Sequence, residues 1–226
     1  MGKHVNKTSK PTTRILIVDD HPIVQKGLSS LLSQEPDFEV CGEADDVPSA
    51  IRLVDKTRPH VVTIDISLQS GSGLDLIRRI AKRNRSIRVL VCSLYDETLY
   101  AERALHAGAM GYVNKHEATR TIVEAIRQVL DGKVYLSDRM TERLAHRLIG
   151  GRGNNEVRPA VESLSDRELE VFGMIGKGQT SAEIAKKLHL GIKTVDTYRC
   201  RIKQKLKLAN MAQLAREAAQ WVLERG

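Results

Sequence analysis

The segment His60-Val61-Val62-Thr63-Ile64-Asp65-Ile66, which continues into Ser67-Leu68-Gln69-Ser70-Gly71-Ser72-Gly73, decides the fold. Its apolar and largely β-branched run is typical of a buried strand in a parallel sheet. Asp65 lies near the end of this run, and a loop with two glycines follows. Ligands of open α/β sheets bind at the carboxyl ends of the strands. Asp65 is therefore either a site residue or a turn or helix-capping residue, and the rest of the chain has to decide.

Strands and helices alternate over the first 131 residues. Apolar or alternating runs predict five strands, at 14–18, 39–44, 60–66, 88–93 and 111–115. Apolar residues at helical spacing predict helices at 22–33, 47–56, 74–83, 97–107 and 119–130. In the first of these helices we expect Ile23, Leu28, Leu31 and Leu32 to face inward. The alternation predicts βαβ crossovers and an α/β fold, a flavodoxin-like doubly wound five-stranded parallel sheet.

The pattern changes after Asp131. A further helix is predicted at 137–149, and the composition of 150–155 indicates a flexible linker. Ser165 to Glu168 form a capping box that begins a helix. Three more helices and no strand follow, at 181–188, 192–207 and 211–223. We expect a disordered leader at 1–13, an α/β domain at 14–131, a linker with a helix at 132–160, and a small all-α helix-turn-helix domain at 161–226.

Composition is that of a globular protein of two domains. The chain has 226 residues, of which 41% are hydrophobic and 28% charged. No apolar run approaches the roughly 20 residues that cross a bilayer, so we expect no membrane partner. The polar N-terminus has no apolar region of a signal peptide. Three distant cysteines (Cys41, Cys92 and Cys200) favour a cytoplasmic location over a zinc or disulfide framework.

Polar residues lie at the carboxyl ends of four of the predicted strands: Asp19, Asp20, Asp65, Ser93 and Lys115. The carboxyl ends of parallel strands lie side by side, so these side chains can converge. Crowded carboxylates repel unless a cation neutralises them, and oxygen ligands suit Mg²⁺. A carboxylate beside a metal can attack a phosphoryl group, and a lysine can contact the phosphate oxygens. Each residue alone could be a cap, a turn or an exposed residue; together they favour a phosphoryl site.

These positions resemble the receiver domain of two-component response regulators, as does the segment Gly108-Ala109-Met110-Gly111-Tyr112-Val113-Asn114-Lys115. The resemblance implies that Asp65 accepts a phosphoryl group from a sensor histidine kinase. It also implies that Mg²⁺ is held by Asp20, Asp65 and the backbone carbonyl of Ser67, with Asp19 in support.

The same resemblance implies a switch. Ser93 and Tyr112 would form the switch pair, in which the hydroxyl moves to the phosphate and the ring turns inward, while Lys115 contacts the phosphate. Gln69 stands where the family usually has proline. This departure removes no catalytic group. Its effect on the lifetime of the phosphorylated state does not follow from the sequence.

The segment 192–207 has two contrasting faces. At 100° per residue, Val195, Ile202 and Leu206 share a narrow apolar stripe. Between Lys193 and Lys207 there are six lysines or arginines and one acid. Cations for phosphates and short polar side chains for base edges suit a DNA major groove, although a solvated basic helix has the same composition. The preceding short helix and the Leu190-Gly191 turn match a helix-turn-helix.

This C-terminal part resembles the LuxR-type helix-turn-helix of the NarL/FixJ class of response regulators. The matching segments are 164–171, 183–185, 193–198 and 205–206. The resemblance places base reading at Asp196, Thr197 and Cys200. Residues expected to contact double-stranded DNA are Lys193, Thr194, Asp196, Thr197, Tyr198, Cys200, Arg201, Lys203 and Lys205. Thr180 and Ser181 depart from the usual Ser-Asn before the second helix.

The sequence therefore predicts a phosphorylation-switched transcription regulator and not an enzyme. A metal-dependent phosphatase or phosphotransferase would need a second aspartate two residues after Asp65, where this chain has Ser67. A regulator that senses a small molecule would need an aromatic-rich pocket, and aromatics are only 4% of the residues.

The expected mechanism couples the two domains. The unphosphorylated receiver would pack against or otherwise restrain the helix-turn-helix, and phosphorylation would release it and permit a homodimer. The helix at 211–223, with Leu214, Ala218, Trp221 and Val222, is either the dimer face or part of its own domain core. The sequence leaves these two alternatives open.

Overall fold

A computed structural model of the chain describes residues 12–68, 71–149, 160–188 and 190–223. The strands are β1 (Thr13–Val18), β2 (Phe38–Ala44), β3 (Val61–Ile64), β4 (Arg88–Ser93) and β5 (Gly111–Asn114). The helices that alternate with them are α1 (Pro22–Leu32), α2 (Val47–Thr57), α3 (Gly73–Arg83), α4 (Glu97–Ala107) and α5 (Ala118–Leu130). Further along are α6 (Asp138–Ile149), α7 (Asp166–Gly176), α8 (Ser181–Leu188), α9 (Ile192–Lys205) and α10 (Met211–Leu223).

The five strands form one parallel sheet in the order β2-β1-β3-β4-β5, which confirms the predicted doubly wound α/β fold. Ile64 pairs with Val18 on one side and with Val91 on the other. Ser93 pairs with Asn114 at the end of the next pair of strands. This register brings the residues that follow β1, β3, β4 and β5 to one edge of the sheet.

Alternate strand residues face two separate layers of helices. One layer buries Leu28 of α1 and Ile122 of α5 against the sheet. The other buries Ala50, Ile77 and Ala101 of α2, α3 and α4. Burial on both faces explains why the strands are apolar throughout.

Ile23 was predicted to face inward, and this was wrong. Its side chain is 87% exposed, whereas Leu28 and Leu32 of the same helix are buried. Nine helical residues correspond to a rotation of about 180°, so Ile23 lies opposite Leu32 on the helix. The inward stripe of α1 instead passes through Val24, which packs on the sheet.

The loop after β3 brings the first residue of α3 very close to the backbone of Asp65 and Ile66. The Gly73 N–H donates to the Ile66 carbonyl at 3.0 Å. A Cβ added at Gly73 would lie 2.2 Å from the Asp65 carbonyl oxygen. Only glycine permits this approach, which fixes the backbone around Asp65. Gln69 of the same loop lies outside the described residues.

The C-terminal helices bury an apolar centre that is continuous with the core on one face of the sheet. Val195 and Ile202 of α9, Leu214 and Ala218 of α10, and Phe172 of α7 are fully buried. The Trp221 ring lies 5.4 Å from that of Phe172. Leu214 and Ala218 therefore belong to the core of this domain, which favours the packing alternative for the inner face of α10.

The described chain between α5 and the C-terminal helices includes two segments, one that runs beside β5 and one that forms helix α6. The Tyr112 N–H donates to the Tyr135 carbonyl at 2.9 Å, so the chain after α5 lies along the edge strand β5. Helix α6 follows, with Met140 fully buried. The predicted linker at 150–155 and most of the predicted leader lie outside the described residues. Among the described residues, no helix has the length and apolar character needed to cross a membrane.

Candidate functional site

Asp65 lies at the centre of a cluster of charged side chains at the carboxyl edge of the sheet. Its side chain is only 3% exposed. The Lys115 ammonium donates to Asp65 Oδ2 at 2.6 Å, and it lies 2.7 Å from Asp19 Oδ2. Three predicted site residues from three strand ends are thus in direct contact.

Electrostatics holds Lys115 charged within this cluster. Burial alone would lower the pKa of Lys115, but the neighbouring Asp65 and Asp19 carboxylates outweigh burial and raise it. The charged lysine compensates part of the carboxylate repulsion at the sheet edge.

Asp20 supplies an oxygen that lacks a hydrogen-bond donor. Its Oδ1 atom is buried without a hydrogen-bond partner. Burial raises the pKa of Asp20, partly offset by the nearby His21. Ligand atoms of Asp19, Asp20, His21 and Asp65 all lie within 4.8 Å of one another. An unsatisfied buried carboxylate oxygen among other carboxylates fits a divalent cation such as Mg²⁺.

Both predicted switch residues already point inward. The Ser93 hydroxyl donates to Asp65 Oδ1 at 2.7 Å. The Tyr112 ring is buried, and its hydroxyl donates to the Tyr95 carbonyl at 2.8 Å. The Ser67 N–H, from the loop after β3, donates to Asp65 Oδ1 at 3.3 Å. The resemblance had implied that Tyr112 turns inward on phosphorylation, whereas the ring is inward in this structure.

Tyr95 connects the site to the C-terminal domain and was not singled out by the sequence. It lies two residues after Ser93; burial raises the pKa of its hydroxyl, and the neighbouring Ser67 side chain opposes that rise. Its ring stacks on Tyr100 at 4.8 Å. On the other side, the Lys177 ammonium lies 5.5 Å from the centre of the Tyr95 ring. The position of Tyr95 just after the end of β4, close to Ser93, was the feature of the sequence that could have indicated its place beside the site.

An ionic contact centred on Asp166 joins the two domains. Arg103 of α4 donates to Asp166 Oδ1 at 2.8 Å, and Arg78 of α3 donates to Asp166 Oδ2. Burial alone would raise the pKa of Asp166, but the two arginines lower it. Arg167 lies 3.5 Å from Asp75 of α3. Helix α7 is thus held against α3 and α4 of the receiver by its first residues.

Glu170 is a buried acid on the same helix. Arg167 donates to its carboxylate at 2.8 Å. Burial nonetheless raises the pKa of Glu170 to about 7, and Asp75 of the receiver adds to the effect while Arg167 opposes it. This carboxyl group therefore titrates near neutral pH while it is covered at the domain interface.

The predicted DNA-contact residues lie mostly on the outer surface of α9. Exposed members are Lys193, Thr194, Asp196, Thr197, Cys200, Arg201 and Lys205, and the half-buried members are Tyr198 and Lys203. The opposite stripe is the buried one, as predicted from helical spacing. The contacts described above between the α/β domain and this domain involve α7 and Lys177, and seven of the nine predicted DNA-contact residues of α9 are exposed.

Three of these side chains, those of Lys205, Asp196 and Thr197, already have partners within the chain, and the Thr197 hydroxyl donates to the Lys193 carbonyl at 2.8 Å. Lys205 donates to Glu168 at 2.6 Å, so a DNA phosphate would have to compete with that carboxylate. Asp196 accepts a hydrogen bond from the Ser181 hydroxyl at 2.8 Å. Arg199 in turn donates to the Ser181 hydroxyl at 3.0 Å. Ser181, where the family usually has asparagine, thus links α8 to α9.

The two parts of the chain match two family models. Residues 15–127 match the model described as the response regulator receiver domain. Residues 162–218 match the model described as bacterial regulatory proteins of the luxR family. The first match contains Asp19, Asp20, Asp65, Ser93, Tyr112 and Lys115, and the second contains all the residues predicted to contact DNA.

Curated relatives match over nearly their whole length. The chain is 33% identical over 208 residues to the oxygen regulatory protein NreC of Staphylococcus carnosus (strain TM300), covering 91% of this chain and 96% of the relative. It is 32% identical over 202 residues to the response regulator GacA of Pseudomonas aeruginosa, covering 89% of this chain and 93% of the relative.

A solved structure matches both parts together. It is RcsB from Salmonella enterica serovar Typhimurium, bound to the promoter P1flhDC in the presence of the phosphomimetic BeF₃⁻. The match has a TM-score of 0.66 and 27% sequence identity, and it covers 92% of this chain and 99% of that chain.

Proposed function

The chain belongs to the NarL/FixJ class of response regulators, which join a receiver domain to a LuxR-type helix-turn-helix, and we propose that it is a transcription regulator that phosphorylation of Asp65 switches. The input is a sensor histidine kinase and the output is binding of double-stranded DNA by α9. The chain is proposed to act as a regulator and not as an enzyme, because Ser67 offers no second carboxyl beside the acceptor.

The observation that carries the proposal is the convergence of Lys115, Ser93 and the acid pair on the Asp65 carboxylate. In the proposed transfer, an Asp65 oxygen forms a bond to phosphorus while the bond from phosphorus to the donor histidine nitrogen breaks. That nitrogen keeps the electron pair and takes a proton. Lys115 and Ser93 then hold the phosphoryl oxygens.

Mg²⁺ is proposed to be held by Asp20, Asp65 and the backbone carbonyl of Ser67, with Asp19 in support; the acid cluster supports this ligand set. When bound, this ion would offset the negative charge that gathers between the carboxylate and the phosphoryl group. The protein residues bring the acceptor oxygen into place and exclude water, because Asp65 is almost fully buried.

We propose that the receiver restrains the C-terminal domain through α7. Arg103 and Arg78 hold Asp166, and Lys177 lies over Tyr95. Since the Tyr95 hydroxyl also neighbours the Ser67 side chain beside the proposed acceptor, a phosphoryl group at Asp65 can alter the contact of Tyr95 with Lys177. The contact between the receiver and α7 does not cover the outer face of α9. It is therefore proposed to prevent the pairing of two DNA-binding domains, and not to block α9 directly.

The proposed homodimer uses the outer side of α10. Leu214 and Ala218 are buried in their own domain, whereas Met211, Ala215 and Leu223 are exposed. Met211, Ala215, Ala219 and Leu223 are spaced by four residues and so form one stripe. A second copy that contacts this stripe would place two α9 helices on neighbouring half-sites.

The test compares DNA binding with and without phosphorylation. The full-length protein is treated with a small phosphodonor such as phosphoramidate and Mg²⁺, and its oligomeric state and affinity for promoter fragments are measured. We expect a dimer and a tighter complex in the wild type, and neither change in Asp65→Asn.

Asp131→Asn serves as the matched control, because it removes an exposed carboxylate outside the site. It should respond like the wild type. The proposal would be overturned if the phosphodonor changed neither the dimerisation nor the DNA affinity of the wild-type protein.

A further inference from the structure

We propose that His21 is an additional metal ligand. Its imidazole increases the preference of this site for a first-row transition ion such as Mn²⁺ over Mg²⁺, compared with a site made of the carboxylates alone. The inference rests on the proposed function only in assuming that the acid cluster binds a divalent cation. It concerns which ion the cluster takes and which atom of this chain decides that choice.

Geometry places the imidazole nitrogen among the carboxylate oxygens. His21 Nδ1 lies 2.8 Å from Asp20 Oδ1 and 3.2 Å from Asp19 Oδ1. Neighbouring ligands of an octahedral ion at about 2.1 Å are separated by about 3 Å. The spacing of these three atoms is therefore that of ligands which share one cation.

The second observation is the unsatisfied oxygen of Asp20. Its side chain is 7% exposed, and Oδ1, the atom that faces His21, has no hydrogen-bond partner. His21 Nδ1 has a hydrogen-bond contact with Asp19 Oδ1 at 3.2 Å, whereas Asp20 Oδ1 has no hydrogen-bond partner. A cation bound by both Nδ1 and Asp20 Oδ1 would replace the contact with Asp19 and supply the missing partner of Asp20.

The backbone holds the His21 ring at the rim of the cluster. The His21 N–H donates to Asp19 Oδ1 at 2.9 Å, and Pro22 follows directly at the start of α1. Although His21 occupies the N-cap position of α1, its side chain forms no capping hydrogen bond. The ring is 53% exposed, so it can adjust towards an ion without disturbing the core.

Ligand chemistry gives the direction of the preference. Carboxylate, carbonyl and water oxygens suit both Mg²⁺ and Mn²⁺, but Mg²⁺ is the harder ion and keeps oxygen ligands, whereas Mn²⁺ as a first-row transition ion accepts an imidazole nitrogen more readily. A site with one nitrogen among oxygens gains affinity for Mn²⁺ and little for Mg²⁺. Removal of His21 should therefore weaken Mn²⁺ binding selectively.

The experiment titrates the metal-free full-length protein with Mn²⁺ and follows the free ion by electron paramagnetic resonance. Mg²⁺ affinity is measured by displacement of bound Mn²⁺. We expect His21→Ala to weaken Mn²⁺ binding by about tenfold or more and to change Mg²⁺ binding less than about twofold. His106→Ala removes an exposed histidine at the other end of the receiver and should behave as the wild type.

Electron spin echo modulation of bound Mn²⁺ reads the ligand directly. We expect a nitrogen coupling in the wild type that disappears in His21→Ala. Bound Mn²⁺ without that coupling, or tighter metal binding in His21→Ala, would overturn the role of His21 and leave the proposed function intact. Asp20→Asn should lose both ions, and metal binding that survives in this variant would count against the proposed site itself.

Discussion

Arg103 of the receiver places Nη1 2.8 Å from Asp166 Oδ1, at the first residue of the helix that opens the DNA-binding domain. The same carboxylate also accepts from Arg78. One acid thus joins α3, α4 and α7, and it does so at the end of α7 where the helix dipole favours a negative charge. The contact ties the two domains without using the outer face of α9.

Removing this contact should open the chain. Arg103→Ala leaves Asp166 with a single arginine, and a hydrogen bond between charged groups contributes about 1.5–3 kcal/mol. We expect the ratio of closed to open molecules to fall by about tenfold or more. Small-angle X-ray scattering would detect this as a larger radius of gyration. Arg83→Ala, which breaks only an exposed pair with Asp55 inside the receiver, should leave the radius unchanged.

Domain closure should weaken as pH rises. The pKa of Glu170 is about 7 in the closed arrangement because burial raises it from the ordinary value of 4.5. The protonated Glu170 side chain therefore favours the closed arrangement. Its contribution to the stability of that arrangement is fully present below about pH 4.5 and is lost as the pH rises through about 7. Between these values the closed-to-open ratio should fall by up to about tenfold per pH unit.

The same scattering measurement at pH 5.5 and pH 8 would check the Glu170 prediction. Glu170→Gln, which cannot ionise, should remain closed across this range. An equal pH response in the wild type and in Glu170→Gln would assign the titration to another group.

Lys115 should stabilise the metal-free protein. Its side chain is 5% exposed and its ammonium contacts both Asp19 and Asp65, so Lys115→Met leaves buried carboxylates without their cation. We expect a loss of about 3 kcal/mol in the free energy of unfolding by urea, and partial recovery on addition of Mg²⁺. Lys82→Met, at an exposed position of α3, should change little. Equal stability of the two variants would contradict this account of Lys115.

Phosphate contacts by α9 should appear in the salt dependence of DNA binding. Lys193→Ala and Arg201→Ala each remove an exposed cation, and each should lower the slope of log affinity against log salt by about 1. Lys205→Ala should change the slope less, because Glu168 already holds that ammonium. Three equal slope changes would show that Lys205 leaves Glu168 to contact DNA.

The sheet could be predicted because its strands are buried on both faces. Such strands are continuous apolar runs, and the polar residue that ends each run marks the carboxyl edge. That is why Asp19, Asp65, Ser93 and Lys115 could be placed together before their distances were known. Ile23 shows the limit, since an apolar residue in the first turn of a helix can point to solvent.

The domain interface could not be predicted in the same way. Asp166 reads in the sequence as part of a capping box, which the structure also contains. Nothing in local spacing indicates that Arg78 and Arg103, far away in the chain, meet its carboxylate. The burial of Glu170 and the contact of Lys177 with Tyr95 likewise depend on tertiary structure, so local sequence could not predict them. His21 was next to the acid pair, and that adjacency was the one available signal.

The most direct test of the central claim is to locate the phosphoryl group. The full-length protein would be incubated with phosphoramidate and Mg²⁺, reduced with borohydride to trap an acyl phosphate, and mapped by peptide mass spectrometry. We predict one modified residue, Asp65, and no modification in Asp65→Asn. A label on Asp19 or Asp20, or equal labelling of Asp65→Asn, would contradict the assignment of Asp65 as the phosphoryl acceptor.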